Sequence, residues 1–103
     1  MTSDGIEQEI QAKGLTAARV TPADVDANIA TVEYVKHISA GRKVLRWAVI
    51  TTTSGFAVVG KPSASVSPEN DDEDIGKKVA FDNSKAELWP LMGYALQTKL
   101  TNT

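Results

Sequence analysis

Cysteine is absent, histidine occurs once, and neither charge dominates. Without cysteine there can be no disulfide, no thiolate metal site and no sulfur nucleophile, a pattern that suits a reducing compartment. Eleven basic against thirteen acidic side chains leave a net charge of −2. A protein that grips duplex DNA through its phosphates carries a basic excess or face, so duplex nucleic acid is not an expected partner. No apolar run nears the roughly 18 residues that cross a bilayer. The opening residues carry Asp4, Glu7 and Glu9 and resemble neither a signal nor a transit peptide. The expected location is the cytoplasm, with no membrane partner.

Catalytic signatures are missing too. His37 has no G-x-S-x-G elbow to work with, and no G-K-S/T follows a glycine-rich loop. Asp71-Asp72-Glu73-Asp74 lacks the glycine-bearing D-x-D-x-D-G order of a calcium loop, and a helix would fan those carboxylates around its axis. No catalytic residue, metal or cofactor is expected, and the protein is read as non-enzymatic.

What is present is one domain's worth of alternating patterns. Length predicts a single core. Ile6, Ile10 and Leu15 hint at helix, but Gly5 and Gly14 weaken it, so residues 1–20 read as a loosely ordered arm or a short helix. Thr21-Pro22-Ala23-Asp24 is a helix start, with Thr21 as cap and Pro22 in the first turn. Val25, Ile29 and Val32 continue at helical spacing, predicting a helix over 22–31. Thr31 to Ile38 and Lys43 to Thr53 are rich in β-branched and aromatic residues, with a turn at Ser39 to Arg42. Both faces of the second strand are mainly apolar, which predicts a central strand with Trp47 in the core and partial cover on its second side. Ser54-Gly55 turns the chain into a strand over Phe56 to Lys61, and Pro62 to Ser67 reads as an irregular edge.

The last third, from Ser67, has the longest helical rhythm. Ser67 caps, Pro68 opens the helix and the acidic run fills its early turns; Lys77, Lys78 and Lys85 follow where the dipole favours them. Pro90 stops this helix near Leu88 and opens a second one, with Leu91, Met92, Ala95 and Leu96 as its buried stripe and a frayed end over 99–103. The predicted fold is α+β: an N-terminal helix, a three- to four-stranded antiparallel meander, and two C-terminal helices packed on the sheet, in one domain over residues 21–100.

Five short patterns stand in order: T-P-x-D-V, G-F-x-V-x-G, S-P-E-N, I-G-x-K-x-A-x-x-N and L-W-P-L-x-G-Y-x-L, the last two being the most specific. Across Thr21 to Leu96 the chain resembles the small phage and prophage proteins of the Gp49-like family. The resemblance implies a phage accessory protein, acting in the host bacterial cytoplasm, in a family without a settled biochemical role. The order of strands followed by two helices also resembles that of phage anti-defence sponges, which sequester nucleotide signals.

Four residues are the candidate ligand contacts. Arg46 and Lys61 would form a small anion site if they share a face of neighbouring strands; otherwise Arg46 lies on a solvated face. Lys78 is the lysine of I-G-x-K. Gly76 and Ala80 leave a small-residue stripe beside Asn83, whose amide could read a base edge or a ribose hydroxyl, or simply bond backbone where the helix packs. Trp89, Leu91 and Tyr94 are the candidate contacts of a homo-oligomer, the alternative being that the rings close the core. Three functions follow for test: capture of a small nucleotide, adaptation to a host protein, and nucleic-acid accessory binding.

Overall fold

The computed structural model describes residues 3–14 and 17–102. In chain order these form α1 (Ser3–Ala12), α2 (Pro22–Ala27), β1 (Ile29–Ile38), β2 (Val44–Thr52), β3 (Ala57–Val59), β4 (Ser63–Ser65), a 3₁₀ turn (Pro68–Asn70), α3 (Glu73–Ala86) and α4 (Leu88–Thr101). The architecture is α+β, with the helical C-terminal third bent at Glu87 and laid on the sheet.

Where the chain predicts a loose arm or a short helix, residues 3–12 are helical and tied down. Arg19 holds Glu7 through two hydrogen bonds of 2.5 and 2.8 Å, and Ile6 and Ile10 face a hollow shared with Val20, Pro22 and Trp89. Leu15 lies outside the described residues. Thr21 caps α2 as expected, in a full capping box: Asp24 N–H donates to Thr21 Oγ1 and Thr21 N–H to Asp24 Oδ2. The helix is shorter than predicted, however, and ends at Ala27. Asn28 accepts from Thr53 through both its backbone and side-chain oxygens, and Ile29 enters β1. Ile29 and Val32 therefore reach the core from a strand; β-branched residues suit that position better than a fourth helical turn.

The sheet is antiparallel, with β2 at its centre. β1 pairs along one edge of β2 in the register Tyr34↔Ala48, Val35↔Trp47, Lys36↔Arg46, and both β3 and β4 pair along the other. Ile50↔Val58 and Arg46↔Ser63 differ by one residue in register, so β3 and β4 are one strand interrupted by an extra residue around Gly60-Lys61-Pro62. Proline, which donates to no ladder, sits in that interruption.

The expected faces of β2 are reversed. Val44, Arg46, Ala48, Ile50 and Thr52 are buried, with α3 over Arg46 and Ala48 and with Val25 and Leu88 against Ile50, while Leu45, Trp47, Val49 and Thr51 are only half-buried on the opposite face. Trp47 is thus not in the core. The core is built from Val25, Ile50, Val58 and Leu88, with Val20, Ile29, Val32, Phe81, Trp89 and Met92 packed around it. The molecule measures 52 × 30 × 19 Å. The short dimension holds a sheet and one helix layer, each about 10 Å deep, and among the described residues the second sheet face has no covering layer.

The start of the long helix also differs from expectation. Ser67 makes no side-chain cap; Ser67-Pro68-Glu69-Asn70 closes as a 3₁₀ turn, and Asp72 caps α3 by accepting from Ile75 N–H at 3.0 Å. α4 is helical to Thr101, with Thr103 outside the described residues. Of its expected buried stripe, Met92 and Leu96 are half-buried, while Leu91 and Ala95 face outward.

Candidate functional site

Arg46 is 4% exposed, and its guanidinium passes under α3 to meet Asp71. Two hydrogen bonds, of 2.5 and 2.6 Å, join them, and Ser65 Oγ donates to the same carboxylate at 2.9 Å. This fork-to-fork geometry is the strongest form such a pair takes. The Arg46 hydrogen bonds hold the Asp71 carboxyl at about 2, well below its ordinary range, with Ser65 and the positive charge of Arg46 adding to the effect. Lys61 lies in the interruption between β3 and β4 and is exposed, whereas Arg46 is buried. The predicted Arg46–Lys61 anion site is replaced by an internal ion pair, because Asp71 already occupies the guanidinium fork.

The small-residue stripe is equally structural. A Cβ on Gly76 would stand 2.9 Å from Arg46 Nη1 and 3.3 Å from Ser63 Oγ, so the glycine is what lets α3 ride over the arginine. A Cβ on Gly60 would meet backbone atoms of Asn83 at 2.3 and 2.4 Å. At that contact Gly60 N–H donates to Ser84 Oγ (2.9 Å), Ser84 Oγ–H to Ala48 O (2.6 Å) and Asn83 Nδ2 to Lys61 O (3.0 Å). The helix thereby satisfies groups that the interrupted strand leaves open, as buried backbone requires. Asn83 serves packing, with its amide turned to backbone.

Lys78, the fourth candidate, does border a concave site. Between the outer side of β1 and α3 lies a cleft of about 660 Å³ lined by Tyr34, Asp74, Lys77, Lys78, Phe81 and Asp82. Lys77 Nζ stands 5.5 Å from the centre of the Tyr34 ring and 3.1 Å from Glu73. Lys78 is exposed and, among the described residues, has no ion-pair partner. Two aromatic rings, two ammonium groups and two carboxylates thus line one hollow. Tyr34 and Phe81 carry no distinctive local motif. They come together only because α3 runs over β2 and β4 and leaves the outer strand bare.

The aromatic block of α4 divides. Trp89 packs against the core, whereas Leu91 is 42% and Tyr94 77% exposed on the outer side of the helix. The open sheet face carries Leu45, Trp47 and Val49 flanked by Val35 and Val59. Among the described residues no group of three or more His, Asp or Glu side chains is arranged to hold a metal ion, and no helix is long and apolar enough to cross a membrane.

Compared with known proteins, residues 20–100 match the model of the phage protein (N4 Gp49/phage Sf6 gene 66) family, and the chain belongs to that family. The match begins at Val20 and so leaves α1 outside it. No curated protein and no solved structure matches the chain.

Proposed function

We propose that this phage-family protein acts by binding, and that its ligand is a small anion bearing an aromatic ring, of the nucleotide class, held in the cleft between Tyr34 and α3. Withdrawing such a signal from the host cytoplasm is an anti-defence role that needs no chemistry on the ligand. The observation that carries this reading is the meeting of Tyr34, Phe81, Lys77 and Lys78 around one hollow. A base stacks on an aromatic ring for about 1–3 kcal/mol, and ammonium groups supply the counter-charge for phosphate. Asp74 and Asp82 line the same hollow, so its charge is balanced, which disfavours long polyanions and suits a compact ligand.

The test is to incubate the purified protein with cyclic di- and trinucleotides and cyclic ADP-ribose isomers, then measure what is released on denaturation. Retention of one of them, lost at least tenfold in Tyr34→Ala and in Lys78→Ala, supports the reading. No retention of any at micromolar concentration sinks it.

A second reading, an adaptor that docks on a host enzyme, is favoured by the open apolar sheet face. It predicts a stoichiometric host partner that is lost on Val59→Glu, a substitution at an exposed position, with the fold intact by circular dichroism. A partner that still binds Val59→Glu would remove this reading.

A further inference from the structure

The two edges of the sheet are unlike. The β3–β4 edge is short, interrupted and contains Pro62, all devices that discourage another strand from pairing. β1 is ten residues long, contains no proline and, among the described residues, pairs with β2 on one side only. Its one irregularity lies at the very start, between Ile29 and Thr31. Such an edge offers a full row of backbone donors and acceptors to another strand.

We infer that two copies pair along this edge as a two-fold dimer, β1 antiparallel to β1 with Val35 opposite Val35, and that Lys36 of the second copy thereby completes the cleft beside Tyr34. The register follows from the side chains. A two-fold axis that sets two strands side by side and antiparallel stands perpendicular to the sheet, so it keeps the faces together and passes through one residue. Centred on Glu33 it sets carboxylate on carboxylate, and centred on Lys36, ammonium on ammonium. Centred on Tyr34 it puts Lys36 opposite Val32 and Glu33 opposite Val35. Centred on Val35 it pairs Val32 with Ile38, Glu33 with His37 and Tyr34 with Lys36, matching apolar with apolar and acid with base.

This dimer acts on the cleft directly. Tyr34 and Lys36 share the sheet face that α3 covers, as their register partners Ala48 and Arg46 show. The two β2 strands would lie three strand spacings apart, about 14 Å. Each carries its α3, and helices touch at about 8–10 Å, so a slot a few ångströms wide stays open between them. Its floor is Tyr34 and Lys36 from both copies, and its walls include Lys77, Lys78 and Phe81. A flat ring with phosphate attached fits that slot better than it fits the cleft of one chain. The role of Lys36 toward a ligand rests on the nucleotide reading; the pairing of the strands does not.

Light scattering on the ligand-free protein separates the two. At roughly 100 µM chain the expected mass is twice 11.0 kDa, that is 22.0 kDa. Val35→Lys, which sets two ammonium groups on the axis at a half-exposed position, is expected to run at 11.0 kDa. Because the chain contains no cysteine, cross-linking reports the register. Val35→Cys should oxidise to a disulfide dimer, since cross-strand Cα distances of about 4.5–5.5 Å fall in the disulfide range. Glu33→Cys and His37→Cys should each cross-link slowly alone and rapidly when mixed. A monomeric wild type overturns the proposal, whatever the nucleotide assay finds. So does a dimer that survives Val35→Lys and dissociates on Leu91→Glu, which would put the contact on α4.

Discussion

Of the glycines, Gly60 is the one at which an added Cβ would meet the helical layer at the shortest distance, and Gly60→Ala is the sharpest test of that packing. The added Cβ would stand 2.3 Å from Asn83 O and 2.6 Å from Ser84 N. These are backbone atoms inside α3, so no side-chain rotation relieves the clash. Ordinary contact at about 3.5 Å requires the helix or the strand to retreat by roughly 1 Å. Overpacking of this kind costs about 1–3 kcal/mol. A retreat of that size also stretches the Gly60 to Ser84 and Asn83 to Lys61 hydrogen bonds, now 2.9 and 3.0 Å, beyond useful length, at about 1 kcal/mol each. The total is about 3–5 kcal/mol, a large share of the roughly 5–15 kcal/mol that holds a domain together. In urea, with a slope of about 1.5 kcal/mol/M, the midpoint should fall by about 2–3 M. Gly93→Ala is the control: nothing lies within 4 Å of its added Cβ, and it sits inside α4. Removing an exposed helical glycine there should stabilise by about 0.5–1 kcal/mol. A midpoint for Gly60→Ala within about 0.5 M of wild type would refute the close approach.

Gly76→Ala should destabilise by about 1–3 kcal/mol, less than Gly60→Ala, because its new neighbour at 2.9 Å is the end of a side chain; urea titration of the two variants side by side checks the order. Thr21→Ala removes half of a capping box and should cost about 1 kcal/mol, read the same way. Asp71 has its carboxyl lowered to about 2 from the ordinary 3.8, chiefly by Arg46, so its contribution to stability is complete above about pH 4 and is lost as pH falls through 2. Acid titration followed by circular dichroism should show that loss, and Asp71→Asn should flatten it. Glu7, lowered to about 2 chiefly by its hydrogen bonds from Arg19, behaves likewise for α1. Since Trp89 lines the hollow under α1, its fluorescence in a Trp47→Phe background should shift to the red over the same acid range, and at neutral pH in Glu7→Gln.

Much of the fold could be read along the chain, and the misreadings share one cause. The α2 start, the two long strands, the hairpin at Ser54-Gly55 and the bend before Pro90 depend on neighbours in sequence: a cap, a β-branched run, a turn pair, a missing N–H. Each appears in the structure close to its predicted place. The reversal of β2 is different in kind. A strand with Val44, Ala48 and Ile50 on one face and Leu45, Trp47 and Val49 on the other offers two apolar sides, and bulk favours the side with tryptophan. What reverses the choice is Asp71, 25 residues away from Arg46, which neutralises the arginine and makes its face the one that can be buried.

The same holds for the recognisable C-terminal patterns. I-G-x-K-x-A-x-x-N marks the family, and yet Gly76 and Asn83 within it serve the contact of α3 with Arg46 and with the interrupted strand. The cleft draws on Tyr34 from β1 and on Lys77, Lys78 and Phe81 from α3, more than forty positions apart and joined by no motif. The sequence by itself determined the main helices and strands, their order and the family, because caps, turns and periodicities act over a few residues. Tertiary structure alone decided which face of β2 is buried, which glycines carry close contacts and which edge is left open. Those outcomes turn on ion pairing and steric approach between segments that meet only when the chain has folded.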